Sequence, residues 1–309
     1  MKIEKPLVSY CIFTYNQQEF IRDAIKGALS QTYSPLEIII SDDCSNDATF
    51  SIIQETIRNY EGPHKIIINQ NENNLGIGGH VSRICYTIAK GEYIILLGGD
   101  DIPMKVHASE AVKQMEIHKN VNMIDFSGDI INKEGHIIRN IDYKFNYKKY
   151  TLRDYILMRK IQSFAPGRIL RQQLIQAFDP ISNNCPTEDS VFVLRSLLTG
   201  GLIRTNTPVV HYRVHDLNTS NTKGLKKISH IAIIAQYFKD LIKAYDEKKI
   251  SDDTFEVIIN RINYELKLRK LKYSVNDSVY SRIYRKIALK SLEHFYYFKN
   301  NRKIRRIDL

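Results

Sequence analysis

Two adjacent carboxylates, Asp100 and Asp101, follow the apolar run Tyr93-Ile94-Ile95-Leu96-Leu97 and the pair Gly98-Gly99. Side-by-side carboxylates repel each other unless a cation sits between or beside them. Mg²⁺ or Mn²⁺ held by one or two carboxylates usually completes its shell with substrate phosphates. The first expectation is therefore a divalent cation and a phosphorylated ligand. An unbroken apolar run suits a central strand covered on both faces, and the two glycines let a backbone or a ligand come close at its carboxyl end. Open α/β sheets bind their ligands at that edge.

Three further polar clusters stand just beyond predicted strands. Thr14-Tyr15-Asn16 follows a strand over 8–13, Ser41-Asp42-Asp43 one over 36–40, and Asn73-Asn74-Leu75-Gly76 one over 65–68. Between them, Phe20, Ile21, Ala24, Ile25, Ala28 and Leu29 fall on one helical face. Phe50, Ile53, Ile57 and Tyr60 mark a second helix, and Val81, Ile84, Cys85 and Ile88 a third. This β-α-β-α-β-α-β order predicts a mostly parallel sheet with right-handed crossovers. Its loops open on one edge and can converge on one ligand. Beyond Asp101 the pattern predicts a helix over 105–118 and extended segments over 122–126 and 129–138, with Lys133-Glu134-Gly135 as a hairpin turn. Short helices follow over 152–159 and 171–178, another runs from Pro186-Thr187 to Leu198, a late strand covers 209–214, and from 228 onward the chain reads as helical.

With 309 residues the chain can hold one large domain, 1–220, and a helical C-terminal region, 221–309. The apolar fraction of 43% is ordinary for a soluble protein, and no run of about 18 uncharged apolar residues is present to span a bilayer. Met1-Lys2-Ile3-Glu4-Lys5-Pro6 leads straight into a strand, so no signal peptide is expected. Cys11, Cys44, Cys85 and Cys185 lie far apart, as reduced thiols of a cytoplasmic protein would. The net charge of +11 is unevenly placed, because residues 1–220 carry 24 basic and 24 acidic side chains and residues 221–309 carry 21 and 10. A neutral body with a basic tail suggests docking on an anionic surface. The tail interleaves basic runs at 267–272, 282–290 and 302–306 with Tyr280, Tyr284, Phe295, Tyr296, Tyr297 and Phe298. It can lie on anionic lipid as a peripheral element on the inner face of the membrane, or pack on the body with a solvated basic face.

The ordered set Thr14-Tyr15-Asn16, Ser30-Gln31-Thr32-Tyr33, Asp42-Asp43-Cys44-Ser45-Asn46-Asp47, Asn73-Asn74-Leu75-Gly76, Ala89-Lys90-Gly91-Glu92, Asp100-Asp101, Glu188-Asp189 and Tyr212-Arg213-Val214-His215 resembles the family-2 glycosyltransferases with a GT-A fold. The resemblance covers roughly residues 6–220. It implies a Rossmann-like, mostly parallel sheet flanked by helices, and a nucleotide-diphosphate sugar donor in the N-terminal half with Mn²⁺ or Mg²⁺ on its diphosphate. Donor contacts would fall to Thr14, Tyr15, Asn16, Asp43, Gly76, Asp100 and Arg213, and metal contacts to Asp100, Asp101 and His215. Tyr15 could stack on a pyrimidine, and Asp43 could accept a hydrogen bond from the ring N3–H that uracil and thymine share. Asp42 could instead orient the loop. Gly98 stands where the commonest family pattern, Asp-X-Asp-Asp, has its first aspartate.

The resemblance also makes Asp189 the general base, with Glu188 the second choice, for attack of an acceptor hydroxyl on the anomeric carbon with inversion. His215 would close over the diphosphate or metal, with Arg213 nearby. Acceptors would be glycans or lipid-linked glycans of cell-surface polysaccharide assembly. A nucleotidyltransferase shares the sheet, metal and phosphates, but no Gly-rich basic phosphate loop follows the first strand, and Gly76-Ile77-Gly78-Gly79 has the wrong spacing for a dinucleotide loop. A nucleic-acid adaptor would need the carboxylates to face a phosphate backbone without a metal, so no nucleic-acid partner is expected.

Overall fold

The apolar runs of the N-terminal half become parallel strands because both faces of the sheet they form are covered. The computed structural model describes residues 4–216, 218, 228–273, 279–305 and 307, with side chains outside 272–287. β1 (Val8–Thr14), β2 (Leu36–Asp42), β3 (Lys65–Gln70) and β4 (Tyr93–Gly98) are parallel in the order β3-β2-β1-β4. Period-two alternation splits each run between two cores. Tyr10, Ile12, Ile38 and Ile40 pack beneath α1 (Ile21–Leu29), whereas Cys11, Ile39, Ile94 and Leu96 pack on the other face. There they meet α3 (Gly76–Arg83), which continues as a π-helical turn, Ile84–Ile88. α2 (Thr49–Ile57) completes the βα alternation.

On the far side of β4 the sheet changes character. β9 (Arg168–Arg171) lies antiparallel between β4 and β6 (Met123–Ile131), and β10 (Leu202–Arg213) runs parallel to β6. β5 (Ile102–Pro103) and β8 (Tyr147–Tyr150) pair with β10, and β7 (Ile137–Asn140) closes the expected hairpin on β6. β8 and β9 carry no apolar run, and sequence periodicity does not announce them. β10 begins at Leu202 rather than 209, because register shifts between Arg204 and Val210 interrupt its alternation. The segment predicted extended over 129–138 divides into the end of β6, a turn and β7.

The remaining helices are α4 (His107–Ile117), α5 (Leu152–Ile156), α6 (Gln172–Gln176), α7 (Asp189–Leu198), α8 (His230–Asp246), α9 (Asp252–Tyr273) and α10 (Val279–Ile304). α8 and α9 bury Ile233, Ile234, Tyr237, Leu241, Val257 and Ile258 in the same cluster as Cys11 and Ile94. Arg195 of α7 meets Asp240 of α8 at 2.7 Å with both side chains buried. Tyr296 and Tyr297 donate to the carbonyls of Ile156 and Leu157 at 2.9 and 2.7 Å. Helices from both sides of residue 220 therefore share one core. The boundary at 220 itself, and the side chains of Tyr280, Tyr284 and 282–287, lie outside the described residues. No described helix is long and apolar enough to cross a membrane.

His107 at the start of α4 joins the two halves of the sheet. Its Nε2 donates to the Gly167 carbonyl at 2.8 Å, which leaves Nδ1 to accept from the Tyr10 hydroxyl at 2.7 Å. Burial pushes the ring down to about 4. An unfolded histidine titrates near 6.5, so the stabilisation is complete above that pH and is lost as pH falls toward 4, by about 3 kcal/mol. His107→Gln, which has no titrating ring, is expected to lose that much less stability than the wild type between pH 7 and pH 4 in chemical denaturation. Equal losses would refute the assignment.

Candidate active site

The carboxyl ends of β1, β2 and β4 open into a cleft of about 550 Å³. Its first wall is the β1–α1 loop sewn to the β2–α2 loop. Asn16, at φ 51, donates its N–H to Ser45 Oγ at 2.8 Å and accepts from Asn46 N at 2.9 Å, while Gln17 N donates to Thr49 Oγ1 at 2.8 Å. Asp42 accepts from Ser45 N and from Gln70, so it orients the loop. Tyr15 projects into the cleft, 42% exposed. Asp43 is buried, and its Oδ1 accepts from Asn71 Nδ2 at 2.7 Å and Leu75 N at 2.9 Å. With Oδ1 committed, Oδ2 is the oxygen available to a ligand in the cleft that Asp43 lines.

The glycines after β3 serve packing. A Cβ on Gly78 would stand 2.6 Å from the Cys185 carbonyl, and Gly78 N donates to that oxygen at 3.2 Å. This contact brings the 182–187 segment, which leads into α7, over the cleft. Gly76, at φ +69, lines the cleft beside His80, whose Nε2 meets Ser41 Oγ at 2.8 Å. Burial lowers the His80 pKa against the opposing pull of Asp43 and Asp42.

At the end of β4, Asp100 Oδ2 lies 3.0 Å from His215 Nε2, and the imidazole lies against Phe20, 4.6 Å between centroids and tilted by 31°. Asp101 is buried and accepts the Arg213 N–H at 3.0 Å, with burial and then Asp100 raising its pKa well above the carboxylate range. Arg213 reaches the floor of the site, not its lumen. Its buried guanidinium donates to the carbonyls of Asp100 and Lys133, pairs with Asp23 at 3.0 Å and stands 5.1 Å over Phe20. A Cβ on Gly98 would lie 2.8 Å from Asp100 Oδ1, so the carboxylate of Asp100 occupies the room that a side chain at 98 would need.

The opposite wall comes from α7. Asp189 opens the helix with its side chain 49% exposed, whereas Glu188 before it is buried. Burial, followed by the charge and hydrogen bond of Asp189, raises Glu188 well above the usual carboxylate range. Glu188 is thus the member of the pair that burial biases toward the neutral form, and it is the exposed Asp189 side chain that faces the cleft. Arg168 of β9 holds the start of the helix at Asp189. Its Nε and Nη2 grip Asp125 at 2.7 and 3.1 Å, and its Nη1 donates to the Asp189 carbonyl at 3.0 Å, 3.8 Å from Asp189 Oδ1. Thus Thr14, Tyr15, Asn16, Asp43, Gly76, Asp100, Asp101, Glu188, Asp189 and His215 all line one cleft. Arg168 and His80 join them without any motif to announce them.

The glycosyl transferase family 2 model matches residues 9–176. The chain belongs to that family. An uncharacterized glycosyltransferase of Rickettsia typhi is 30% identical over 324 aligned positions, covering 90% of this chain and 95% of that protein. An Escherichia coli protein named as a UDP-Glc:α-D-GlcNAc-diphosphoundecaprenol β-1,3-glucosyltransferase is 40% identical over 37% of this chain and 43% of its own length. The chain spans 66% of an uncharacterized glycosyltransferase of Methanocaldococcus jannaschii, 30% identical over 63% of this chain, and 37% of its mycobacterial relatives. Among solved structures, Staphylococcus aureus TarS 1–349 in complex with UDP-GlcNAc superposes with TM-score 0.57 at 16% identity, over 94% of this chain and 91% of TarS. A Pyrobaculum calidifontis mannosyltransferase in complex with GDP-Man and Mn²⁺ gives 0.56 at 12% identity, over 96% and 88%. These likenesses bear out the GT-A fold.

Family 2 enzymes with this fold often use a divalent metal, and the donor set here suits one. Among the described residues no three His, Cys, Asp or Glu side chains surround a common point. Mg²⁺ and Mn²⁺ need only one or two protein carboxylates when phosphates supply the rest. Asp100 with His215 3.0 Å away supplies one carboxylate and one imidazole at this edge, a set that would leave the rest of a Mn²⁺ or Mg²⁺ shell to phosphates. Asp101 is committed to the Arg213 backbone and supports the turn instead.

The upward shift that burial gives Glu188 has a measurable consequence. A carboxyl whose pKa is raised by folding contributes fully below its unfolded value near 4.3, and the contribution is lost as pH rises toward the folded value. Glu188→Gln keeps the neutral form at every pH, so its melting temperature is expected to fall less than that of the wild type between pH 5 and pH 8.5. Parallel curves would remove the proton from Glu188.

Proposed function

We propose that this family 2 chain is an inverting, divalent-metal-assisted glycosyltransferase. It moves a sugar from a UDP- or dTDP-sugar to a hydroxyl of a glycan or lipid-linked glycan during cell-surface polysaccharide assembly. The observation that carries the reading is that Tyr15 and Asp43 beyond β1 and β2, Asp100 and His215 beyond β4 and β10, and Asp189 at the start of α7 line one cleft. The UDP-sugar named for the E. coli relative and the UDP-GlcNAc bound to TarS support a uridine donor, and the E. coli relative's lipid diphosphate acceptor supports the polysaccharide setting.

In this mechanism Tyr15 stacks on the pyrimidine and Asp43 Oδ2 accepts the N3–H. Asp100 and His215 would hold the metal, which when bound supplies positive charge to the diphosphate leaving group. Asp189 takes the proton of the acceptor hydroxyl while that oxygen forms its bond to the anomeric carbon. The bond from that carbon to the diphosphate breaks on the opposite face, so the configuration inverts. Glu188 keeps its proton and, with Arg168, fixes the Asp189 carboxylate. Exposed Phe295 and Phe298, 61% and 87% accessible on α10, stand beside exposed Lys299 and Arg302 and support a peripheral position on an anionic cytoplasmic membrane face.

Thermal-shift titration with UDP, dTDP and GDP tests the donor site. UDP or dTDP with Mn²⁺ is expected to raise the melting temperature, GDP much less, and Asp100→Ala to abolish the metal-dependent part. Asp189→Asn is expected to keep the shift and to lower transfer or donor hydrolysis by about 10²–10⁴-fold, the range for a general base. Full activity in Asp189→Asn would overturn its role, and no shift with either pyrimidine nucleotide would overturn the donor assignment.

A further inference from the structure

A second cavity of about 520 Å³ adjoins the first and shares Ala165 and Asp189 with it. Asp189 therefore stands at the junction of the two. The new cavity is walled by the segment after α5, by α7 and by α8 and α9, and its charged lining is Arg159, Lys160, Arg261, Arg269, Glu265 and Asp189. Four cations face two carboxylates.

Those carboxylates do not neutralise the lining. Glu265 is divided between Arg261 at 3.2 Å and Arg269 at 4.0 Å. Asp189 is already 3.8 Å from Arg168, a fifth cation behind the wall. Arg159 pairs with Asp154 at 3.0 Å but remains 60% exposed, and Lys160 is exposed with no carboxylate partner among the described residues. Arg261 is held rigidly, its Nε donating to the Tyr155 carbonyl at 3.0 Å and its guanidinium lying 4.6 Å from the Tyr155 ring and 5.3 Å from that of Tyr264. Its Nη1 is buried and donates to no described atom, so Arg261 gives the cavity wall its charge and not an exposed donor. A fixed guanidinium adds its charge to the cavity at no further ordering cost, and the exposed Arg159 and Lys160 with Arg269 supply the donors that an oxyanion needs.

We infer that this cavity is an acceptor subsite that takes an anionic glycan, with a phosphodiester or carboxylate group of the acceptor seated on Arg159, Lys160 and Arg269 while its hydroxyl is presented to Asp189. The inference rests on the proposed sugar transfer for the hydroxyl's role, but binding of the anion is independent of it. The chemistry that recognises phosphate and carboxylate is shared, so both sources are tested.

Isothermal titration of the full chain with a glycerol phosphate oligomer, an oligogalacturonate and neutral maltotetraose, with and without UDP and Mn²⁺, separates the cases. Binding of at least one anionic oligomer is expected, weakening with salt, with maltotetraose at least about tenfold weaker. The stronger of the two anions identifies the source. Lys160→Gln with Arg269→Gln is expected to weaken anion binding by about tenfold or more and to leave UDP affinity unchanged, which also shows that the variant is folded. Lys160→Glu is expected to weaken it further. Equal binding of maltotetraose, no binding of either anion, or unchanged affinity in the double variant overturns the inference. Anion binding without UDP binding overturns the donor assignment and leaves the anionic subsite standing.

Discussion

The buried pair of Arg168 and Asp125 is the contact on which the site's two halves depend. Arg168 comes from β9 and Asp125 from β6, and the carboxylate also accepts from Ser163 Oγ at 2.7 Å and Phe164 N at 2.9 Å. The guanidinium's remaining arm reaches the first residue of α7. Two strands, an irregular segment and the helix bearing Asp189 are thus tied by one side chain. The antiparallel insertion of β9 between β4 and β6 makes this possible, since it places Arg168 opposite Leu96 near the carboxyl end of β4. Removing one partner of such a pair leaves a buried charge and costs about 3–5 kcal/mol, several times the worth of an exposed ion pair. Correct placement of Asp189 is therefore a property of folding and not of loop adjustment.

The same cleft carries an excess of acids, and the fold handles it by burial as much as by pairing. Asp43, Asp100, Asp101, Glu188 and Asp189 all line it. Two like charges 4 Å apart at an effective dielectric constant of 20 repel by about 4 kcal/mol. Keeping a proton on a buried member of each adjacent pair avoids that repulsion. Glu188 and Asp101, the buried members, are the ones whose pKa values rise, and Asp100 and Asp189 are left to face the cleft. Asp100 beside His215 and Asp189 beside Arg168 are then the carboxyl groups that remain at the cleft surface.

The half of the cleft built on the parallel strands was legible in the sequence because those strands are apolar runs that end abruptly in polar residues. Tyr15, Asp43 and Asp100 stand at those ends. The other half was written in residues that ordinarily signal a surface. Arg168, Arg195, Arg204 and Arg213 are the largest fully buried side chains, and three of them lie in β9 or β10. Arg204 sits between the rings of Tyr143 and Phe164 at 4.6 and 5.1 Å, which no periodicity scale scores as core. A four-residue strand with an arginine at each end, such as β9, carries no pattern at all. Arg213, expected to meet the donor, is instead spent on holding the turn beneath it, a role that depends on partners more than 100 residues away.

The limits of the family match carry the same division into function. The match ends at residue 176, so it contains Tyr15, Asp43 and Asp100 but neither Asp189 nor His215. The cavity beyond Asp189 is completed by Arg261, Glu265 and Arg269 of α9, still farther along the chain. Those helices are not an independent appendage, because Val257 and Ile258 bury in the same core as β1 and β4 and Arg261 bonds to the backbone of α5. A change in the packing face of α9 therefore bears directly on the wall of the second cavity, which Arg261, Glu265 and Arg269 line. The first cleft is thus lined mainly from the ends of the parallel strands and from α7, and the second cavity mainly from helices.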